Sequence, residues 1–83
     1  MKKRKEIIII GKNIRRLREE RGYAQEAFAH HINIGRAFYG RIERGEMAPG
    51  SLILIKIAKA LHVEVGELFP SLRILKEIAT EDN

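Results

Sequence analysis

Gln25-Glu26-Ala27-Phe28-Ala29-His30-His31-Ile32-Asn33-Ile34-Gly35-Arg36-Ala37-Phe38-Tyr39-Gly40-Arg41-Ile42-Glu43-Arg44-Gly45 is the stretch on which the fold turns. Phe28, Ala29 and Ile32 fall on one side of a short helix opening at Gln25, because residues three and four apart share a helical face. Asn33 follows where the chain needs a left-handed residue to leave that helix, and Asn is second only to Gly in that conformation. Ile34 is a lone apolar plug and Gly35 a tolerated N-cap. A second helix over 36–44 then turns Tyr39 and Ile42 inward before Gly45 ends it. Two short helices result, joined by the turn Asn33-Ile34-Gly35, and the second is basic.

Upstream, Ile7, Ile10, Ile14 and Leu17 recur at helical spacing, with Arg15, Arg16, Arg18, Glu19 and Glu20 between them and Gly22 as the stop. The run Ile7 to Ile10 fits an extended arm as well as a helical turn, since isoleucine is β-branched. Lys2, Lys3, Arg4 and Lys5 have no apolar periodicity, so residues 1–9 read as a basic tail or arm. Downstream, Pro49-Gly50 marks a loop and Ser51 is a candidate cap for a helix burying Leu54, Ile57, Ala58 and Leu61. Val63 to Phe69 fits one more short helix contributing Val65, Leu68 and Phe69. Pro70-Ser71 then resets the chain for an amphipathic segment of Leu72, Leu75, Ile78 and Ala79, with Glu81-Asp82-Asn83 fraying. The expected fold is all-α: a five-helix bundle over 10–69 with a C-terminal helical extension over 70–83.

At 83 residues the chain is one domain, and with no cysteine it has no disulfide, zinc-thiolate or thiol-nucleophile chemistry. A cytoplasmic protein is expected. Its apolar runs are far shorter than the roughly 20 residues of a membrane span. The net charge of +5 is uneven: residues 1–44 carry +7 and residues 45–83 carry −2. A basic half in a small domain favours a polyanionic partner over a neutral small molecule, although a merely solvated face has the same composition. His30 and His31 are adjacent and diverge by about 100° on a helix, so no metal site and no cofactor are expected. The serines are Ser51 and Ser71 and the one aspartate is Asp82, which leaves no hydrolytic triad and no enzyme.

Two short helices around a tight turn, the second exposed and basic, are the outline of a helix-turn-helix. Ile14-Arg15-Arg16-Leu17-Arg18-Glu19-Glu20-Arg21-Gly22, then Gln25-Glu26, Phe28-Ala29, Ile32, Arg36, Ile42-Glu43-Arg44-Gly45, Pro49, Ile57-Ala58-Lys59-Ala60-Leu61 and Glu67-Leu68-Phe69 resembles the XRE family of phage-repressor-like DNA-binding domains. The match runs from Gly11 to Phe69. The resemblance implies that Gln25 bonds a phosphate and that Arg36, Ala37 and Arg41 face base edges. An arginine that takes guanine O6 and N7 together is worth about 1–3 kcal/mol of discrimination. Phe38 is expected to face out, toward a thymine methyl or sugar, or else to pack back on Ile34 or Ala27. The order Arg36-Ala37-Phe38 is similar to that in the controller proteins of restriction-modification systems. Arg44, with Arg15 or Arg16, is placed to reach flanking phosphates, while Arg18 and Glu43 match a pair that forms an internal salt bridge in this family.

Ala24 stands where the family favours a Ser or Thr cap, Gly40 interrupts the recognition helix, and Ala48 and Ser51 replace a common Asn and Leu. Leu52 and Ile53 occupy usually polar places, which implies either a register shift of the fourth helix or a partner subunit. The expectation is a sequence-specific double-stranded DNA-binding regulator, a homodimer on a palindromic operator, with Leu52, Ile53, Phe69, Leu72 and Leu75 at the dimer interface. The alternatives are a protein-interaction module on the same fold, such as an antitoxin or adaptor, and a coat protein without site preference.

Overall fold

The computed structural model describes residues 4–82, with side chains through Ile78. The expected tail residues Lys2 and Lys3, the end residue Asn83 and the side chain of Ala79 lie outside the described residues. The elements are α1 (Lys5–Glu20), α2 (Gln25–His31), α3 (Arg36–Glu43), α4 (Ser51–Leu61), a 3-10 turn (Val65–Leu68) and α5 (Leu72–Asp82). The fold is all-α as expected: five helical elements in a bundle, the fifth of them the 3-10 turn, followed by a short C-terminal helix.

One core unites the elements. Ile10, Ile14 and Leu17 of α1 meet Phe28, Ala29 and Ile32 around α2, Tyr39 and Ile42 of α3, and Leu54, Ile57, Ala58 and Leu61 of α4, with Leu68 closing one end. Tyr23, Phe28 and Tyr39 pack in series at ring-centroid separations of 5.1 and 5.6 Å, the first pair edge-on and the second tilted, as aromatic quadrupoles favour. The predicted stops are in place: Gly22 and Gly45 have φ of +82° and +73°, and Asn33 is left-handed at φ 58°. Gly35 is the N-cap of α3.

Several local expectations needed the tertiary structure. Of the two alternatives for Ile7 to Ile10, the helix is found, and it begins as early as Lys5. Ile7 packs on the core and Ile10 is buried, so helix and core gain from the same residues. Ser51 is the first helical residue of α4 rather than its cap; Gly50 takes the cap position and no side chain bonds the end of the helix. Val65 and Phe69 are exposed at 37% and 40%, so Leu68 alone of the expected trio is core. The turn ends at Leu68, and Phe69, already in extended backbone at φ −97° and ψ 158°, leaves its face.

The α4 register does not shift, since Leu54, Ile57, Ala58 and Leu61 all point inward. Ile53 is half-buried against the core, whereas Leu52 is 79% exposed and Ile55, unmarked by the sequence reading, is 50% exposed. Ser71 caps α5, its Oγ accepting from the Ile74 backbone N–H at 3.3 Å. Among the described side chains of that helix Ile78 is the buried one, and Leu72 and Leu75 face outward.

Gly11 sets how closely α1 approaches α3. A Cβ there would lie 2.5 Å from the Ile42 carbonyl oxygen and 2.6 Å from that of Glu43, both of them backbone atoms that side-chain rotation cannot move aside. Gly11→Ala is therefore expected to destabilise by about 3 kcal/mol, the upper end for overpacking, despite alanine's better helix propensity. Urea unfolding checks this; a variant as stable as the parent would show that α1 and α3 separate at little cost.

Candidate nucleic-acid interface

The floor of the site is a buried carboxylate. Glu43, the last residue of α3, is 6% exposed and accepts from Arg18 twice, Nε to Oε2 at 2.7 Å and Nη2 to Oε1 at 3.1 Å. The Tyr39 hydroxyl donates to Oε2 at 2.5 Å and Gln25 Nε2 to Oε1 at 3.0 Å. Arg18 also reaches the Tyr23 carbonyl at 2.6 Å. No buried side-chain polar atom among the described residues lacks a partner, so the charge pair meets the condition under which burial is tolerable.

Burial pushes the Glu43 carboxyl up, but hydrogen bonds from Arg18, Tyr39 and Gln25 together with the Arg18 charge outweigh it, and its pKa falls below 4.5. The Arg18 guanidinium is held above its usual range by its bonds to Glu43. The Tyr39 hydroxyl is pushed up by burial and by the carboxylate it bonds.

On this floor stand the exposed residues. A groove of about 620 Å³ is lined by Gln25 from the start of α2, by Arg36, Ala37 and Arg41 of α3, and by Arg44 and Glu46 just beyond it. Arg41 and Arg44 are three residues apart and share a face of the helix, whereas Arg36, five residues before Arg41, is turned about 140° from it and lines the same groove from the start of α3. In the free protein Arg36 pairs with Glu26 at 3.3 Å and Arg44 with Glu46 at 2.9 Å, both exposed. The hydrogen bonds that Arg44 donates to Glu46 hold its guanidinium above its usual pKa range. Arg41 has no side-chain hydrogen bond or ion pair among the described residues.

A smaller hollow of about 280 Å³ shares Gln25 and Arg44 with that groove and runs on to Lys12 and Arg15 of α1. Arg16 lines neither; like Arg15 it pairs along α1, with Glu20 at 3.2 Å and Glu19 at 3.3 Å respectively. Phe38 is 38% exposed and lies outside both linings. Lys12 and Glu46 were missed by the sequence reading. Lys12 sits one turn before Arg15 on the same face of α1, a signal the sequence contains. Glu46 comes to the groove only through the loop after α3.

Gly40 explains how Arg44 lies. A Cβ there would be 2.9 Å from Arg44 Nη1 and 3.5 Å from Gln25 Oε1, so the guanidinium crosses the bare backbone of α3.

A compact helical bundle that sets a short basic helix above a buried ion pair is the architecture of a helix-turn-helix DNA-binding protein. The helix-turn-helix family model matches residues 14–68, and the chain belongs to that family. It is 39% identical over 62 residues to the HTH-type transcriptional regulator YazB of Bacillus subtilis, covering 75% of this chain and 90% of that one. It is also related to restriction-modification controller proteins. With the control protein C.MunI of a Mycoplasma species it shares 35% identity over 63 residues, 75% of this chain and 85% of that one. The crystal structure of the controller protein C.AhdI from Aeromonas hydrophila superposes with a TM-score of 0.72 at 33% identity, covering 76% of this chain and 96% of that chain. The chain is thus a transcriptional-regulator-like DNA-binding protein of the XRE type. Among the described residues no helix is long and apolar enough to cross a membrane, and no three His, Asp or Glu side chains gather as a metal site.

Three variants test the floor and the helix above it. Arg18→Ala is expected to cost about 3–5 kcal/mol because it orphans a buried carboxylate. Because the folded pKa of Glu43 is depressed, its contribution is complete above its ordinary value of 4.5 and is lost as pH falls through the lower folded value. Glu43→Gln should flatten that acid limb in unfolding experiments between neutral pH and pH about 3. At Gly40 only the flexible tip of Arg44 must give way, so Gly40→Ala is expected to raise stability, by up to about 1 kcal/mol from helix propensity, measured as an increase in Tm.

Proposed function

We propose that the protein is a sequence-specific regulator that binds a palindromic operator as a homodimer, with residues 10–69 reading DNA and residues 70–83 helping to join two copies. The observation that carries this reading is the convergence of Arg36, Ala37, Arg41, Arg44 and Gln25 on one groove. In it, Arg36 and Arg41 take guanine edges in the major groove, and Ala37 offers a methyl that lets α3 approach closely. Phe38, exposed beside Ala37 on α3 but outside the lining of the groove, meets a thymine methyl or a sugar. Arg44 and Arg15 hold phosphates on the flank shared with Lys12, and Gln25 turns from the Glu43 floor to a phosphate; Arg16 makes a more peripheral phosphate contact.

When DNA arrives, Arg36 exchanges Glu26 for a base and Arg44 exchanges Glu46 for a phosphate. Both carboxylates are exposed, so these exchanges cost little. The dimeric state is supported by exposed apolar surface at Leu52, Phe69, Leu72 and Leu75, 39–79% accessible in a single chain. Ile53, half-buried, would contribute only its outer edge. One recognition helix reads a few base pairs; two set one helical turn apart, about 34 Å, read an inverted repeat.

Selection from a randomised duplex pool at near-physiological salt tests the reading, with an Arg36→Ala, Arg41→Ala variant in parallel. An inverted repeat enriched by the parent alone is the expected result. Equal enrichment by the variant, or a monomer in sedimentation at micromolar concentration both with and without the selected DNA, would overturn it.

A further inference from the structure

Away from the DNA-facing groove the bundle has a second concave surface, between the C-terminal ends of α2 and α4. It measures about 680 Å³ and is lined by Tyr23, His31 and Ile32 on one side and by Lys56, Lys59 and His62 on the other, with no acidic residue in its lining. It shares no lining residue with the groove around Arg36 and Arg41, and none with the apolar surface assigned above to the dimer.

The chemistry of its wall is mixed. Ile32 is buried at 4% exposure and Tyr23 is half-buried, with the His31 ring stacked on that of Tyr23 at 5.4 Å and an interplanar angle of 27°. Together they make an apolar, aromatic floor. Lys56, Lys59 and His62 are all exposed, and among the described residues none of their side chains has a hydrogen bond or ion pair. Elsewhere on the surface the guanidinium groups of Arg15, Arg16, Arg36, Arg44 and Arg73 each face a glutamate. The carboxyl ends of α2 and α4 contribute roughly half a negative charge each, confined to the last turn. Two ammonium groups therefore leave the surface positive before either histidine is counted.

We propose that this surface docks an acidic segment of a partner protein, a peptide carrying several carboxylates around one large apolar side chain. The carboxylates pair with Lys56, Lys59 and His62, while the apolar side chain covers Tyr23 and Ile32. Charge complementarity selects the sign of the partner, and the apolar floor selects a peptide over a duplex. A duplex presents mainly phosphates on its outside, and its thymine methyls lie within the major groove, away from such a concavity. The concavity is also open along one side, so a small anion would leave much of its surface in water, unlike ligands in enclosed sites. Because the site is separate from the DNA-facing groove, docking is compatible with a protein already on its operator.

Fluorescence anisotropy of a labelled peptide, glutamates flanking one phenylalanine, tests this with the full chain. Saturable binding is expected, weakened about tenfold by Lys56→Glu with Lys59→Glu and unchanged by Arg36→Ala with Arg41→Ala. Both lysines are exposed, and circular dichroism of the charge-reversed variant confirms that it folds. Amide shifts at Tyr23, His31 and Ile32 in NMR titration should locate the peptide. Absence of saturation, or loss of binding in the arginine variant, would overturn the proposal. So would displacement of the peptide by excess duplex, or an equal loss of duplex affinity on reversing the lysines, either of which would make the surface one for nucleic acid.

Discussion

Three helices of this small bundle converge on a single carboxylate. Glu43 receives the guanidinium of Arg18 from α1, the hydroxyl of Tyr39 from within α3 and the amide of Gln25 from the start of α2. A buried ion pair of this kind is often no more stabilising than a packed apolar pair, because two charges must first leave water. It is, however, directional. Apolar contacts would tolerate a range of angles between α1 and α3, whereas a two-pronged arginine pair is satisfied in one arrangement.

That arrangement is what the DNA-facing surface requires. α3 is only eight residues long and has too few turns to be stable alone. Its inner face is anchored by Tyr39 and Ile42, its end by Glu43, and its approach to α1 by the missing side chain of Gly11. With the inner face held, Arg36, Arg41 and Arg44 line one groove. The Glu26 and Glu46 partners reduce the repulsion among these cations in the free protein, and being exposed they give way to a stronger anion.

Gly40 is a compromise visible only in three dimensions. As a helix residue it is a poor choice, yet its bare backbone is where the Arg44 guanidinium lies, beside the Gln25 amide. A local rule is broken at the place where the surface has work to perform, which is where such departures are expected.

The amino-acid order by itself determined the element order, the inward residues of α2, α3 and α4, the left-handed exits at Gly22, Asn33 and Gly45, and the family with its paired Arg18 and Glu43. The elements, inward residues and exits are local or periodic properties, written in spacings of three and four residues and in backbone preferences, whereas the family and its Arg18–Glu43 pair rest on the resemblance. Tertiary structure alone decided the helical state of Ile7 to Ile10, a run compatible with helix or strand until a core is present to receive one face of it. It also decided the need for glycine at position 11, the arrival of Lys12 and Glu46 beside the arginines, and the outward turn of Val65 and Phe69. Each of these depends on a neighbour distant in sequence: the carbonyls of Ile42 and Glu43 for Gly11, the end of α3 for Lys12, the short 3-10 geometry against the core for Leu68. Periodicity shows which residues share a face, and only packing shows what that face meets.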